Sequence, residues 1–166
     1  FLGKWSAGFG VTKESACVYC GTGKYGVTPG AKSKSWCKDC GKDKYLDSVG
    51  ASKSRSCQNC PSGFMQPSKG SAYCELCIPG TFSLIEGLTS CLDCSTGQFK
   101  TDQTQCQDCP SGYDSGTKAS VCNKCPAGKA GRGCKPCTVG QYRSADDQVR
   151  FYCSFTVHFS DVTSIC

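Results

Sequence analysis

Apolar side chains in this chain stand singly or in pairs, set apart by Gly, Ser, Lys and Cys. No apolar stripe holds a helical period for three turns, so no long amphipathic helix is predicted. No apolar run reaches the length of a membrane-crossing helix. A shorter punctuation repeats instead. In Cys17-Val-Tyr-Cys20-Gly-Thr-Gly23-Lys-Tyr25, a C-x-x-C pair is followed by Gly three residues on and an aromatic five residues on. Gly holds its place at Gly23, Gly63, Gly80, Gly97, Gly112, Gly128 and Gly140, and Asp43 holds it once. Both residue types tolerate positive φ, which predicts a left-handed turn position. The aromatic is Tyr25, Tyr45, Phe82, Phe99 or Tyr142, or comes one residue early at Phe64 and Tyr113. Segments such as Gly80-Thr-Phe-Ser and Gly97-Gln-Phe-Lys read as short strands running into Gly- or Ser-marked turns. Two-stranded ribbons are the expectation. Pro61, Pro110 and Pro126 directly follow a cysteine, which fixes φ and suits an extended path.

The cysteine pairs are Cys17/Cys20, Cys37/Cys40, Cys57/Cys60, Cys74/Cys77, Cys91/Cys94, Cys106/Cys109, Cys122/Cys125 and Cys134/Cys137. Their spacings run 20, 20, 17, 17, 15, 16 and 12, so the loops vary while the punctuation stays. Such self-similarity predicts a tandem array whose units touch chiefly their neighbours. Gly3-Lys-Trp5 matches the part of the repeat after a cysteine pair, and Gly10 precedes Cys17 as Gly30 precedes Cys37 and Gly50 precedes Cys57. The expectation is a chain that opens inside a repeat. Residues 1–142 read as the array and 143–166 as an aberrant tail. The tail reads as a cap closed by Cys153–Cys166, as an unrelated terminal segment, or as residues foreign to the repeat protein.

Eighteen of 166 residues are Cys, the level of a disulfide scaffold, and Cys supplies well over a quarter of the 38% hydrophobic content. The remaining apolar residues are too thin for one large core, so cross-links must do much of the stabilising. Redox chemistry is a poor reading, because eight pairs lack the strand–helix setting that a thioredoxin-like thiol needs. Zinc is the rival: Cys17, Cys20, Cys37 and Cys40 fit four-cysteine spacing, and a basic first half would suit nucleic acid. Against it, the gaps shrink without grouping the pairs into fours, and the cations are scattered through loops. Structural disulfides are the favoured reading, with an oxidising compartment. The predicted fold is small and disulfide-rich, an elongated tandem array of short two-stranded ribbon modules with little regular secondary structure.

Sequence does not settle connectivity. Joining first to first and second to second cysteine across adjacent pairs gives Cys17–Cys37, Cys20–Cys40, Cys57–Cys74, Cys60–Cys77, Cys91–Cys106, Cys94–Cys109, Cys122–Cys134 and Cys125–Cys137. With Cys153–Cys166 it uses every thiol and is favoured on that count. The rival closes each loop on itself, as Cys20–Cys37 and Cys40–Cys57, and leaves Cys17 and Cys166 over. In a bridged unit the aromatic is expected to lie over a disulfide as a small core.

The run Cys57-Gln-Asn-Cys-Pro-Ser-Gly-Phe, then Cys74-Glu-Leu-Cys-Ile-Pro-Gly-Thr-Phe, then Gly87-Leu-Thr-Ser-Cys91-Leu-Asp-Cys resembles the ephrin-receptor-like cysteine-rich repeat. Cys109-Pro-Ser-Gly-Tyr113 and Cys125-Pro-Ala-Gly128 carry the same signature. That repeat is similar to the cysteine-rich modules of tumour necrosis factor and growth-factor receptors. The resemblance spans roughly residues 1–142 and implies extracellular, elongated, non-catalytic modules of larger surface proteins. It also implies the cross-pair connectivity. Asp43, Ala130, the short Cys125–Cys134 loop and the tail depart from the pattern.

The net charge of +6 is uneven: residues 1–70 hold 11 Lys/Arg against 4 Asp/Glu, and residues 71–166 hold 8 against 9. The bland reading is a solvated surface. The sharper one makes Lys32, Lys34, Lys38, Lys42, Lys44, Lys53 and Arg55 a basic face for an anionic polysaccharide or an acidic protein at the cell exterior. No enzyme is expected. His158 is the only His, Asp146-Asp147 reads as a solvated turn, and neither phosphate-loop nor calcium-loop spacing occurs. Neither Asn59 nor Asn123 heads a glycosylation sequon, while Ser and Thr leave O-linked sugar open. The resulting expectation is a disulfide-stapled spacer or interaction module without cofactors, nucleic acid or membrane insertion. The alternative is an intracellular array of four-cysteine zinc sites on nucleic acid, which a secretory signal ahead of Phe1 would discriminate.

Overall fold

The computed structural model describes residues 1–100, 102, 104–139 and 141. Gly140, Tyr142, Asp146, Asp147, Cys153, His158 and Cys166 lie outside the described residues, as does the proposed closing bridge of the tail. The described residues form two compact units, Phe1–Ile78 with Phe82–Leu92, and Pro79–Thr81 with the described residues from Asp93 onward. No helix among them is long and apolar enough to cross a membrane.

Among the described residues the strands make eight separate two-stranded ribbons. β1 (Lys4–Trp5) pairs with β2 (Val18–Tyr19), β3 (Lys24–Tyr25) with β4 (Lys38–Asp39), β5 (Lys44–Tyr45) with β6 (Gln58–Asn59), and β7 (Phe64–Met65) with β8 (Glu75–Leu76). β9 (Thr81–Phe82) pairs with β10 (Leu92–Asp93), β11 (Gln98–Lys100) with β12 (Cys106–Asp108), β13 (Tyr113–Asp114) with β14 (Asn123–Lys124), and β15 (Lys129–Ala130) with β16 (Lys135–Pro136). The first strand of each ribbon is the segment after the turn Gly, or after Asp43 in β5, as the sequence predicts at 81–82 and 98–100. The second strand is the dipeptide inside the next C-x-x-C, with Cys106 added to it in β12. Short 3-10 turns at Glu14–Ala16, Lys34–Trp36 and Ser54–Ser56 precede three of these dipeptides.

The turn position has its predicted conformation. Gly23, Gly63, Gly80, Gly97, Gly112 and Gly128 hold φ between +71° and +85°, and Asp43 holds +66°. In Pro61–Phe64, Pro110–Tyr113 and Pro126–Lys129 the fourth residue's N–H donates to the proline carbonyl at 3.0–3.2 Å. With positive φ confined to the third residue, these are type II turns. The turn carbonyl then accepts the N–H of the next pair's second cysteine at 2.8–2.9 Å in all eight ribbons, from Gly3 with Cys20 to Gly128 with Cys137.

Seven disulfides join the described residues: Cys20–Cys37, Cys40–Cys57, Cys60–Cys74, Cys77–Cys91, Cys94–Cys106, Cys109–Cys122 and Cys125–Cys134. Cys137 is disulfide-bonded as well. This is the loop-closing pattern, and it corrects both the cross-pair expectation and the pairing that the family resemblance implies. Cys17, counted above among the bridged cysteines, carries a free thiol. The reason lies in the strand. A C-x-x-C dipeptide is extended, and side chains three residues apart on an extended chain point to opposite faces. The first cysteine therefore looks back to the preceding repeat and the second forward to the following one, so neighbouring pairs cannot bond in parallel. Sequence separations of 9 to 17 residues make each bridge worth about 3 kcal/mol through restriction of the unfolded chain.

The core is correspondingly sulfur-rich. Cys40 and Cys60 have no exposure, and Cys20, Cys77, Cys94, Cys109 and Cys125 have at most 3%. Around the Cys40–Cys57 bridge, buried Leu46 is joined by half-buried Tyr25 and Ala51, so one predicted aromatic does lie over a disulfide.

Candidate functional site: the basic hairpin loops

The loops that carry the candidate cations are held by their hairpins. In the ribbon of β3 and β4, Tyr25 faces Lys38 and Lys24 faces Asp39, and Lys24 ion-pairs with the Asp39 carboxylate. In the next ribbon Lys44 faces Asn59 and donates to its side-chain oxygen, with the Asp43 carboxylate 3.9 Å away. Lys44, one of the predicted ligand residues, is thus half-buried and already engaged. The other six are exposed: Lys32, Lys34, Lys38, Lys42, Lys53 and Arg55. None of the six has an ion-pair partner among the described residues.

Their placement follows the repeat. Lys34 opens the 3-10 turn Lys34–Trp36, Arg55 is the middle residue of Ser54–Ser56, and Lys53 directly precedes that turn. Lys38 lies in a strand rather than a loop. The structure adds Lys13, which the sequence reading passed over. It is exposed and directly precedes the turn Glu14–Ala16, as Lys53 precedes its own. The twenty-residue period was the available signal, since Lys13, Ser33 and Lys53 occupy one register position. Lys4 is a different case. Its Nζ lies 3.0 Å from the Glu14 carboxylate and 4.1 Å from the centre of the Tyr19 ring, and only 8% of the residue is exposed. The Glu14 partner raises its pKa above the ordinary lysine value. It is a structural cation, not a free one.

Chemically, six uncommitted cations, five in loops and turns and Lys38 in a strand, suit an extended polyanion, which needs many weak contacts rather than one enclosed pocket. The zinc reading would need thiolates, and fourteen of the sulfurs it would use are spent in the seven bridges. Among the described residues no cluster of His, Cys, Asp or Glu is placed to hold a metal ion. Disulfides at this density are formed and kept in oxidising compartments. No protein-family model matches the sequence, and no curated protein matches it.

Proposed function

We propose that the chain is a non-catalytic extracellular module, secreted or part of a surface protein's ectodomain, built of ephrin-receptor-like repeats. It holds basic loops in fixed register for an anionic polysaccharide or acidic protein. The observation that carries this reading is the run of seven disulfides, each tying one repeat to the next. The C-x-x-C, Gly and aromatic signature supports the family assignment, while the loop-closing connectivity departs from what that family implies. For the ligand, the support is the separation of spent from free cations. Lys4, Lys24 and Lys44 are paired within the protein, whereas Lys32, Lys34, Lys42, Lys53 and Arg55 face solvent.

The test has two arms. Intact mass with thiol labelling, before and after reduction, establishes whether the native chain keeps its sulfurs as disulfides, and a metal assay on the same sample reads any zinc. Free thiols accompanied by zinc would overturn the reading. Binding to immobilised heparin, followed against salt, then compares the native chain with a variant carrying Lys34→Glu, Lys53→Glu and Arg55→Glu. A clear salt-dependent loss of retention is expected. Retention that ignores both salt and charge reversal would remove the basic loops from the proposal.

A further inference from the structure

The repeats of the first unit dock through one recurring set of contacts. The Gly3 N–H donates to the Gly26 carbonyl at 2.9 Å and the Ser6 N–H to the Ala31 carbonyl at 2.9 Å. Cys20 bonds Cys37, and the Gly50 N–H, one repeat further on, returns to the Cys20 carbonyl at 2.8 Å. The set repeats one step later as Gly23 to Leu46, Gly26 to Ala51, Cys40–Cys57 and Gly70 to Cys40. One step earlier, its receiving half is present and unpaired. Ser6 corresponds to Gly26, Val11 to Ala31, Cys17 to Cys37, and the Gly30 N–H to that of Gly50. The Ser6 and Val11 carbonyls and the Gly30 N–H have no hydrogen-bond partner among the described residues, and Cys17 is a free thiol. All four residues line one cavity of about 360 Å³. Phe1 is 51% exposed and Phe9 fully so.

We propose that this face is a stacking seat for one further cysteine-paired ribbon of the same repeat, with Cys17 as the sulfur that the ribbon's second cysteine bonds. The seat is continuous with the established docking interface between repeats, which defines its occupant: two N–H donors three residues apart, one carbonyl and one thiol. A second copy packed face to face does not meet that requirement, because it would set carbonyls against carbonyls. An open repeat face of this kind ordinarily calls for a cap or another repeat.

The test is a chain with residues 1–20, their copy of Cys17 changed to Ser, duplicated ahead of Phe1, which puts one new cysteine in the register that Cys20 has before Gly21. It is refolded in a glutathione redox buffer. Cys17 and the new cysteine give up two protons and two electrons, and one oxidised glutathione leaves as two reduced molecules. Peptide mapping should find the new cysteine bonded to Cys17, with the seven native bridges in the same digest as the folding control. Amide exchange at Gly30 should slow about tenfold or more. Both readouts are required. A Cys17 that still alkylates, a dimer linked through Cys17, or a bridge without slower Gly30 exchange each overturns the proposal. If the duplicated chain fails to fold, a single cysteine added before Phe1 supplies the same sulfur and carbonyl, and the same criteria apply.

Discussion

Gly3 and Gly50 meet backbone to backbone across two repeats: a Cβ on Gly3 would sit 2.0 Å from the Gly50 carbonyl oxygen. Gly23 and Gly70 repeat the contact at 2.0 Å. The turn glycine therefore serves two ends, a positive φ within its own ribbon and close approach to the ribbon two further on.

The two requirements separate in a pair of alanine variants. Gly23→Ala meets strained φ and a backbone oxygen, and is expected to cost roughly 2–4 kcal/mol. Gly30→Ala has the same sign of φ, +68°, but open space around the new methyl. It should cost only about 1 kcal/mol. Denaturant melts of the oxidised proteins decide, and equal losses would discount the close approach.

Asp43 is the exception that tests the turn itself. It holds φ +66° with a side chain that makes only a weak, partly exposed contact to Lys44. Asp43→Gly is expected to be neutral or stabilising by up to about 1 kcal/mol. A loss of stability would show that the Asp43 carboxylate matters to the ribbon.

Tyr25 covers the Cys40–Cys57 bridge beside Leu46. Truncation to Ala in this half-buried site should cost about 2 kcal/mol, below the full range for a core aromatic. Tyr25→Phe should keep most of that stability, since no hydrogen bond from the Tyr25 hydroxyl is present among the described contacts. Thermal melts of the two variants, run under oxidising conditions, provide the comparison.

Two of the exposed cations also mark protease sites inside one closed loop. Lys53 and Arg55 lie between Cys40 and Cys57. A trypsin cut at either should add the mass of one water and leave the two sides joined until they are reduced. Separation at Lys53 or Arg55 without reduction would contradict the loop-closing pairing, whereas cuts at Lys13 or Lys38, outside every closed loop, release fragments under it too.

Asp102 supplies a pH response. Its carboxylate accepts the hydroxyl and the N–H of Thr104 at 2.7 Å each, and the N–H of Gln105 at 3.1 Å. The Thr104 hydroxyl is the largest cause holding its pKa below the ordinary value of 3.8. A lowered folded pKa means that the turn's stabilisation is present above the unfolded value and is lost as pH falls through the folded one. The Thr104 amide resonance should titrate with a midpoint under 3.8. A midpoint at or above that value would remove the capping account.

The turn conformation and the first strand of each ribbon were legible in the sequence because both are local. Gly23 or Asp43 announces positive φ, and Thr81-Phe82 announces extension, without reference to the rest of the chain. The covering of a disulfide by Tyr25 was legible for a related reason, since ring and bridge lie in adjacent repeats. Connectivity was not. An even count of eighteen cysteines favoured a pairing that the opposed faces of each C-x-x-C strand forbid, and Cys17 was left over. The split between Lys44 and Lys42 was equally hidden, because it depends on which residue stands across the ribbon. Contacts two repeats apart, such as Gly3 with Gly50, depend on how the ribbons stack, and no local pattern encodes that.

The loop-closing bridges also set the mechanics of the chain. Between Cys20 and Cys134, a pulling force runs through seven sulfur links and the six C-x-x-C segments from Cys37–Cys40 to Cys122–Cys125, while every intervening loop is bypassed. At about 3.5 Å per extended residue the full backbone over that span would reach roughly 400 Å, whereas the bridged path reaches about a quarter of it. Length is thus stored behind sulfur. Tension alone cannot draw it out, and a reducing agent frees it one loop at a time, so that a pulled chain would lengthen in discrete steps matching its disulfides.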